Sequence, residues 1–217
     1  MSLSAQITRG LQALDYDFAQ QERPLHELIQ QYLLNIEKWN RIHNLTAIKH
    51  PQDMLYQHVM DSLAVLPHIN GPQIIDVGSG AGLPGIPVAL ARPDWQVSLI
   101  ESNQKKASFL QQVKIELALP NVEVIAKRVE DFRADKRVDT LITRAFSDLG
   151  EFIRLTRQLV PENNVNCRWV AMKANCSGSE LKQVQAPFCI EKIVSLTVPG
   201  LNAVRQLIVI KHSAASD

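Results

Sequence analysis

The chain reads as an α/β protein: a doubly wound, mostly parallel sheet with an antiparallel last strand and a helical extension at its amino end. Three observations predict this. Ile74-Ile-Asp-Val77 is a short apolar run that breaks into glycines at alternate positions (Gly78, Gly80, Gly82) and resumes as an apolar segment from Leu83, which is a strand, a tight loop and a helix start. From Gln73 onward strand-like and helix-like runs alternate, as they do when helices cover both faces of a parallel sheet. Near the carboxyl end two strand-like runs flank Pro199-Gly-Leu-Asn202 with no helix between them, so they form an antiparallel hairpin.

The first seventy residues read as helical, and the expected division is a helical extension at 1–70 followed by a sheet domain at 71–217. A first helix runs from Ala5 to Leu14. In the second, Leu25, Leu28, Ile29, Tyr32, Leu33, Ile36 and Trp39 fall on one face at helical spacing, with Pro24 at the start. Trp39 on that face belongs to the core rather than to a base-stacking platform. Leu55, Val59, Leu63 and Leu66 mark a third helix, ended by Pro67. Strands are expected at 73–77, 96–100, 122–126, 138–143, 166–173, 189–198 and 203–211, and helices at 85–91, 103–118, 148–160 and 178–184.

Hydrophobic residues make up 46% of the 217 and charged residues 21%, enough to bury a real core. No apolar run approaches the ~20 residues of a membrane span, and Met1-Ser-Leu-Ser-Ala-Gln6 lacks the pattern of a secretory signal. A cytoplasmic monomer without membrane or metal partners is expected. Cys167, Cys176 and Cys189 are odd in number and lack C-x-x-C spacing, against both a disulfide framework and a zinc site. Net charge is +1; residues 1–100 carry 6 basic and 9 acidic side chains, residues 101–217 carry 17 and 13. Lys105, Lys106, Lys127, Arg128, Arg133, Lys136 and Arg137 supply much of the later excess. They are either a solvated surface of mixed charge or a phosphate-contacting face beside the cofactor site.

Glycine is needed where the backbone takes φ > 0 or a ligand approaches closely. Asp76 ends the first strand just before the loop, and Glu101 ends the second, where a carboxylate suits ribose hydroxyls. Gly80, Gly82 and Gly85 satisfy the G-x-G-x-x-G spacing of dinucleotide-binding folds. The frame from Asp76 reads D-x-G-x-G-x-G instead, which resembles the first motif of S-adenosyl-L-methionine (SAM) methyltransferases. Roughly 140 residues after Ile74 are too few for a second βαβαβ half and a substrate domain, and no basic residue lies in the loop to meet a phosphate. SAM is the expected cofactor.

Other segments make the resemblance specific: Lys38-Trp-Asn-Arg-Ile-His-Asn-Leu-Thr46, His58-Val-Met-Asp-Ser-Leu63, Asp76-Val-Gly-Ser-Gly-Ala-Gly-Leu-Pro-Gly-Ile-Pro87, Glu101 with Lys105-Lys106, Thr143-Arg-Ala-Phe146 and Arg205-Gln-Leu-Ile-Val-Ile-Lys211. With these the chain resembles the RsmG (GidB) family of bacterial 16S ribosomal RNA methyltransferases over nearly its whole length. The resemblance implies a class I SAM-dependent methyltransferase (Rossmann-like) sheet. It also implies methylation of N7 of guanine 527, with 16S ribosomal RNA or a small-subunit particle as partner. SAM is then held by Gly78 and Leu83 of the loop, by Val129 and Glu130 after the third strand and by Arg144 after the fourth, with Asp76, Gly80 and Glu101 completing the set. For Glu130 and Asp131 the residues alone allow an acidic first helical turn equally well. Phe146 stands where the family often has a smaller residue.

Candidate substrate contacts are Asn44, His58, Asp61, Arg144 and Lys173; hydrogen bonding within the fold is the alternative for Asn44, His58 and Asp61. A hydrolase reading of His58, Asp61 and Ser62 fails, because they share one helix and a serine nucleophile needs a strained exposed turn. Guanine N7 carries a lone pair and no proton, so no catalytic base is expected.

Overall fold

Seven strands share one sheet: β1 (Gln73–Val77), β2 (Gln96–Ile100), β3 (Val122–Ile125), β4 (Thr140–Arg144), β5 (Arg168–Lys173), β6 (Phe188–Ser195) and β7 (Gln206–His212). The order is β3-β2-β1-β4-β5-β7-β6. The first five strands pair in parallel, and β7 inserts antiparallel between β5 and β6. The expected hairpin around Pro199 is therefore present, with a register shift between Ile190 and Lys192. The computed structural model describes residues 1–14, 16–18, 22–144, 146, 148–161 and 163–213. Ala145, within the Thr143–Phe146 segment, lies outside the described residues.

The helices are α1 (Leu3–Ala13), α2 (Leu25–His43), α3 (Pro51–Met54), α4 (Asp61–Leu63), α5 (Gly85–Ala91), α6 (Gln104–Glu116), α7 (Leu149–Thr156) and α8 (Gly178–Leu181). Local chemistry sets their ends. Ser2 caps α1, Asn103 accepts from Lys105 N (3.0 Å) and Lys106 N (3.2 Å) to start α6, and Asp148 accepts from Glu151 N (2.7 Å) to start α7. Asn44 ends α2 in the left-handed region (φ 49°), a conformation that Asn tolerates better than most residues. Between α3 and α4 the helix widens into a π turn, Leu55–Met60, a feature often found at functional sites.

Alternating strand residues feed two cores. On one face α1 to α6 cover the sheet, joining Ile7, Tyr32 and Leu33 with Val97, Leu99 and Phe109 in one apolar cluster. Trp39 packs edge-on to Phe109 there, ring centroids 5.6 Å apart. On the other face α7 covers Ile75, Val77, Leu141 and Trp169, whose indole N–H donates to Thr156 Oγ1 at 3.0 Å. The three cysteines are free thiols. Among the described residues no helix is long and apolar enough to cross a membrane.

Candidate functional site

The carboxyl ends of parallel strands, where a sheet order reverses, are the natural ligand position in such a fold. Here β1 lies between β2 and β4, and its loop opens at that point. Gly78, Gly80 and Gly82 all have positive φ (72°, 58° and 89°), so the loop path belongs to glycine. Gly78 N and Ser79 N donate to Ile100 O at 2.9 and 3.1 Å. A Cβ on Gly78 would meet nothing within 4 Å, so this backbone borders open space. Gly85 differs: a Cβ there would run into Leu99 Cδ2 and sit 2.8 Å from Asp76 Oδ2, which lets α5 press against the sheet.

Two carboxylates flank the loop. Glu101, 7% exposed, accepts from Gly80 N at 2.8 Å and from Asn103 N at 2.7 Å, tying the loop to the start of α6. Asp76 is fully buried; its Oδ2 accepts from Gly85 N at 2.9 Å, while Oδ1 has no partner among the described residues. Burial pushes its pKa up to about 7, against the pull of the Gly85 N–H. Leu83 and Val129 are buried, each in a different apolar cluster, and Glu130 is exposed on the 3-10 turn Val129–Asp131. Glu130 and Asp131 are the acidic residues of that single turn, so the acidic helical turn is present, as a 3-10 turn.

Arg144, at the end of β4, lines a cleft of about 430 Å³ together with Gln57, His58, Asp61, Lys173 and Arg205 among others. Its Nη1 donates to Gln57 O (3.1 Å) and reaches Asp61 Oδ2 (3.4 Å), and its Nη2 donates to His58 Nδ1 (3.2 Å). Asp61 is buried and takes Arg205 Nε on Oδ1 at 3.0 Å, so one carboxylate joins two guanidiniums. Burial, then Arg144, lowers the His58 pKa to about 4, so the ring is neutral. Lys173 Nζ donates to Phe146 O (2.9 Å) and pairs with Glu180 Oε1 (2.6 Å).

His58, Asp61, Arg144 and Lys173 thus come together, whereas Asn44 is exposed and lines a separate groove. The basic residues do not form one face. Lys105, Lys106, Lys127 and Arg128 follow the carboxyl ends of β2 and β3, while Lys136 and Arg137 line a pocket with Gln73 and Gln96 at the opposite ends of the strands.

Sequence reasoning missed Arg205 as a site residue, since 144 positions separate it from Asp61. It also read Tyr32 as core alone. Its hydroxyl, inside the fold, donates to Ala81 O at 2.7 Å and so braces the glycine loop from α2. Among the described residues no group of three or more His, Cys, Asp or Glu side chains is placed to hold a metal ion.

The family model for rRNA small subunit methyltransferase G (GidB) matches residues 25–209. The chain belongs to the GidB family. Relatives named ribosomal RNA small subunit methyltransferase G include one from Nitrosospira multiformis, 51% identical over 98% of this chain and 99% of that protein. Another, from Nitrosomonas europaea, is 48% identical over 98% and 99% of the two chains. Solved structures agree on the fold. A protein from Agrobacterium tumefaciens described as a predicted O-methyltransferase aligns with a TM-score of 0.57 at 20% identity, covering 73% of this chain and 82% of its own. TrmN from Thermus thermophilus aligns at 0.52 and 14% identity, covering 71% and 48%. The sheet is that of a class I methyltransferase, and the GidB segments fall at the end of α2, on the π turn and α4, on the glycine loop, after β2 and in the first turn of α6, at the end of β4 and on β7.

Proposed function

We propose that this GidB-family chain transfers a methyl group from SAM to N7 of guanine 527 of 16S ribosomal RNA. The observation that carries the cofactor reading is Gly78: positive φ, open space where a side chain would stand, and carboxylates on either side. Bound SAM would supply a methyl carbon on a sulfonium; the N7 lone pair would bond to that carbon while the carbon–sulfur electron pair leaves with sulfur. The chain's residues bind and align. Gly78 and Leu83 would hold the methionine part, Glu101 would accept from ribose hydroxyls, and Val129 would cover the adenine while Glu130 would accept from its amino group. Arg144 has five N–H donors and spends three on Gln57, Asp61 and His58, keeping donors for a carboxylate or phosphate.

No side chain need take a proton. His58 Nδ1 already accepts from Arg144, which suits a structural role better than that of a base. Rate enhancement then comes from holding nucleophile, methyl and leaving sulfur in line, an effect that reaches roughly 7–11 kcal/mol in favourable systems. The test uses small subunits from a strain lacking the gene, incubated with the purified protein and SAM. Mass spectrometry of the rRNA fragment should show one 7-methylguanosine, at position 527. Its absence, or methylation elsewhere, overturns the reading.

A further inference from the structure

The segment 44–50 between α2 and α3 separates two cavities. Ile48 and His58 face the cleft beside Arg144. On the other side is a groove of about 530 Å³, lined by Arg41, Asn44, Thr46, Lys49, His50 and Glu37 among others. The Asn40 amide fixes this wall, accepting from Thr46 N at 2.9 Å and donating to Ile48 O at 3.1 Å.

Hydrogen-bond polarity is forced along one chain of groups. A guanidinium only donates, so Arg144 Nη2 makes His58 Nδ1 the acceptor. The neutral ring then carries its hydrogen on Nε2 and donates it to Thr46 Oγ1 at 2.8 Å. The same oxygen accepts from Ile48 N at 3.2 Å. With both lone pairs engaged, the Thr46 hydroxyl has only its hydrogen left to offer a further partner, and the residue lines the groove. Arg41 and Lys49, both exposed, add two cations. The groove's acid, Glu37, lies 3.4 Å from Arg41. Two exposed cations against one acid suit a run of phosphates, and the side chains of Asn44 and His50 can donate to them as well.

We infer that this groove holds the phosphate backbone of the RNA strand next to the target nucleotide, with Arg41, Lys49 and the Thr46 hydroxyl as its donors. The inference rests on the RNA methyltransferase reading. It moves RNA docking onto the α2–α3 side, across the 44–50 wall from the Arg144 cleft. It also links the groove to Arg144 through His58.

The experiment measures half-saturation by small subunits from the deletion strain against salt concentration, by single-turnover methylation. For Arg41→Ala/Lys49→Ala the log–log salt slope should become shallower by about 1.4, at about 0.7 per lost contact to single-stranded phosphate. SAM affinity by calorimetry should stay the same. Lys136→Ala/Arg137→Ala, at the far end of the sheet, should keep the wild-type slope. Thr46→Val should raise half-saturation about tenfold, the loss of one hydrogen bond to a charged acceptor, and Thr46→Ser should restore it. An unchanged slope in the first double variant overturns the inference, as does an equal change in the far-end pair. Weaker binding at unchanged slope points to a non-ionic, protein-type contact and overturns it too. If wild type methylates nothing at guanine 527, the functional reading fails instead, so the two failures are distinguishable.

Discussion

At the scale of single residues, two glycines of one loop are held for different reasons, and their variants should part accordingly. Gly78 has φ 72° and open space beside it, so Gly78→Val strains the backbone by about 1–2 kcal/mol without a clash. The protein should fold and lose SAM binding, read by calorimetry; normal affinity would place the cofactor elsewhere. Gly85→Ala drives a Cβ into Leu99 and should cost fold stability first. Two buried titratable groups set a second expectation. The folded pKa of His58, about 4, lies below its ordinary 6.5. Above pH 6.5 the ring is neutral in both states and nothing is lost; as pH falls toward 4 the unfolded chain takes up a proton that the folded one refuses, and stability drops. Asp76 has the opposite sign: its folded value, about 7, exceeds 3.8, so its cost is greatest above pH 7 and is relieved on acidification. The two offset in wild type. Urea denaturation of Asp76→Asn should therefore show a loss of about 2 kcal/mol from pH 7 to 5, and His58→Gln a gain. Equal pH dependence in the two variants would contradict the assignment. With His58 neutral and N7 aprotic, His58→Gln should leave the shape of the pH profile of the single-turnover rate between about pH 6 and 9 as it is in wild type.

At the scale of elements, α2 does more than cover the sheet. Its Tyr32 hydroxyl reaches across the core to the carbonyls of Ala81 and Gly82, at 2.7 and 3.4 Å. Tyr32→Phe leaves Ala81 O buried without that donor, which should destabilise the fold by about 1–3 kcal/mol. Because the same bond sets the path of the glycine loop, SAM affinity should fall with it. A loss of stability with unchanged affinity would confine α2 to packing. The π turn acts in a similar way from the other side. With the start of α4 it presents His58 and Asp61 to Arg144, and Ser62 Oγ of α4 donates back to His58 O at 2.6 Å to hold the turn.

At the scale of the whole molecule, the helices of residues 1–70 and the sheet share one apolar cluster, from Ile7 and Tyr32 to Leu99 and Phe109. Neither side can be removed without exposing the other's buried surface. Trp39 reports on the helical side and Trp169 on the opposite face of the sheet. Single-tryptophan variants retaining one or the other should unfold in urea with coincident midpoints. Separated midpoints would mean that the helical extension folds as a unit of its own.

Much of the fold was legible because period and punctuation are local. The strands at 73–77 and 96–100 and the helix at 85–91 match the structure residue for residue, since an apolar run bounded by Gly, Pro or a cap leaves little freedom at its ends. The last hairpin was legible from the missing helix around Pro199. Periodicity also placed His58, Asp61 and Ser62 on one turn of helix, though it could not show that this turn widens to π, which depends on what packs against it. The partners those side chains find were beyond it. Asp61 meets Arg144 and Arg205 from two strands far along the chain, and Tyr32 meets a loop 49 residues away. The unified basic face expected at 105–137 divides for the same reason: the chain from Arg128 to Val138 crosses the sheet from its carboxyl to its amino ends. The sequence by itself determined the elements and the glycine loop, through backbone stereochemistry and hydrophobic spacing acting over a few residues. Tertiary structure alone decided which charges meet, because an ion pair depends on distance in space and sheet order sets that distance.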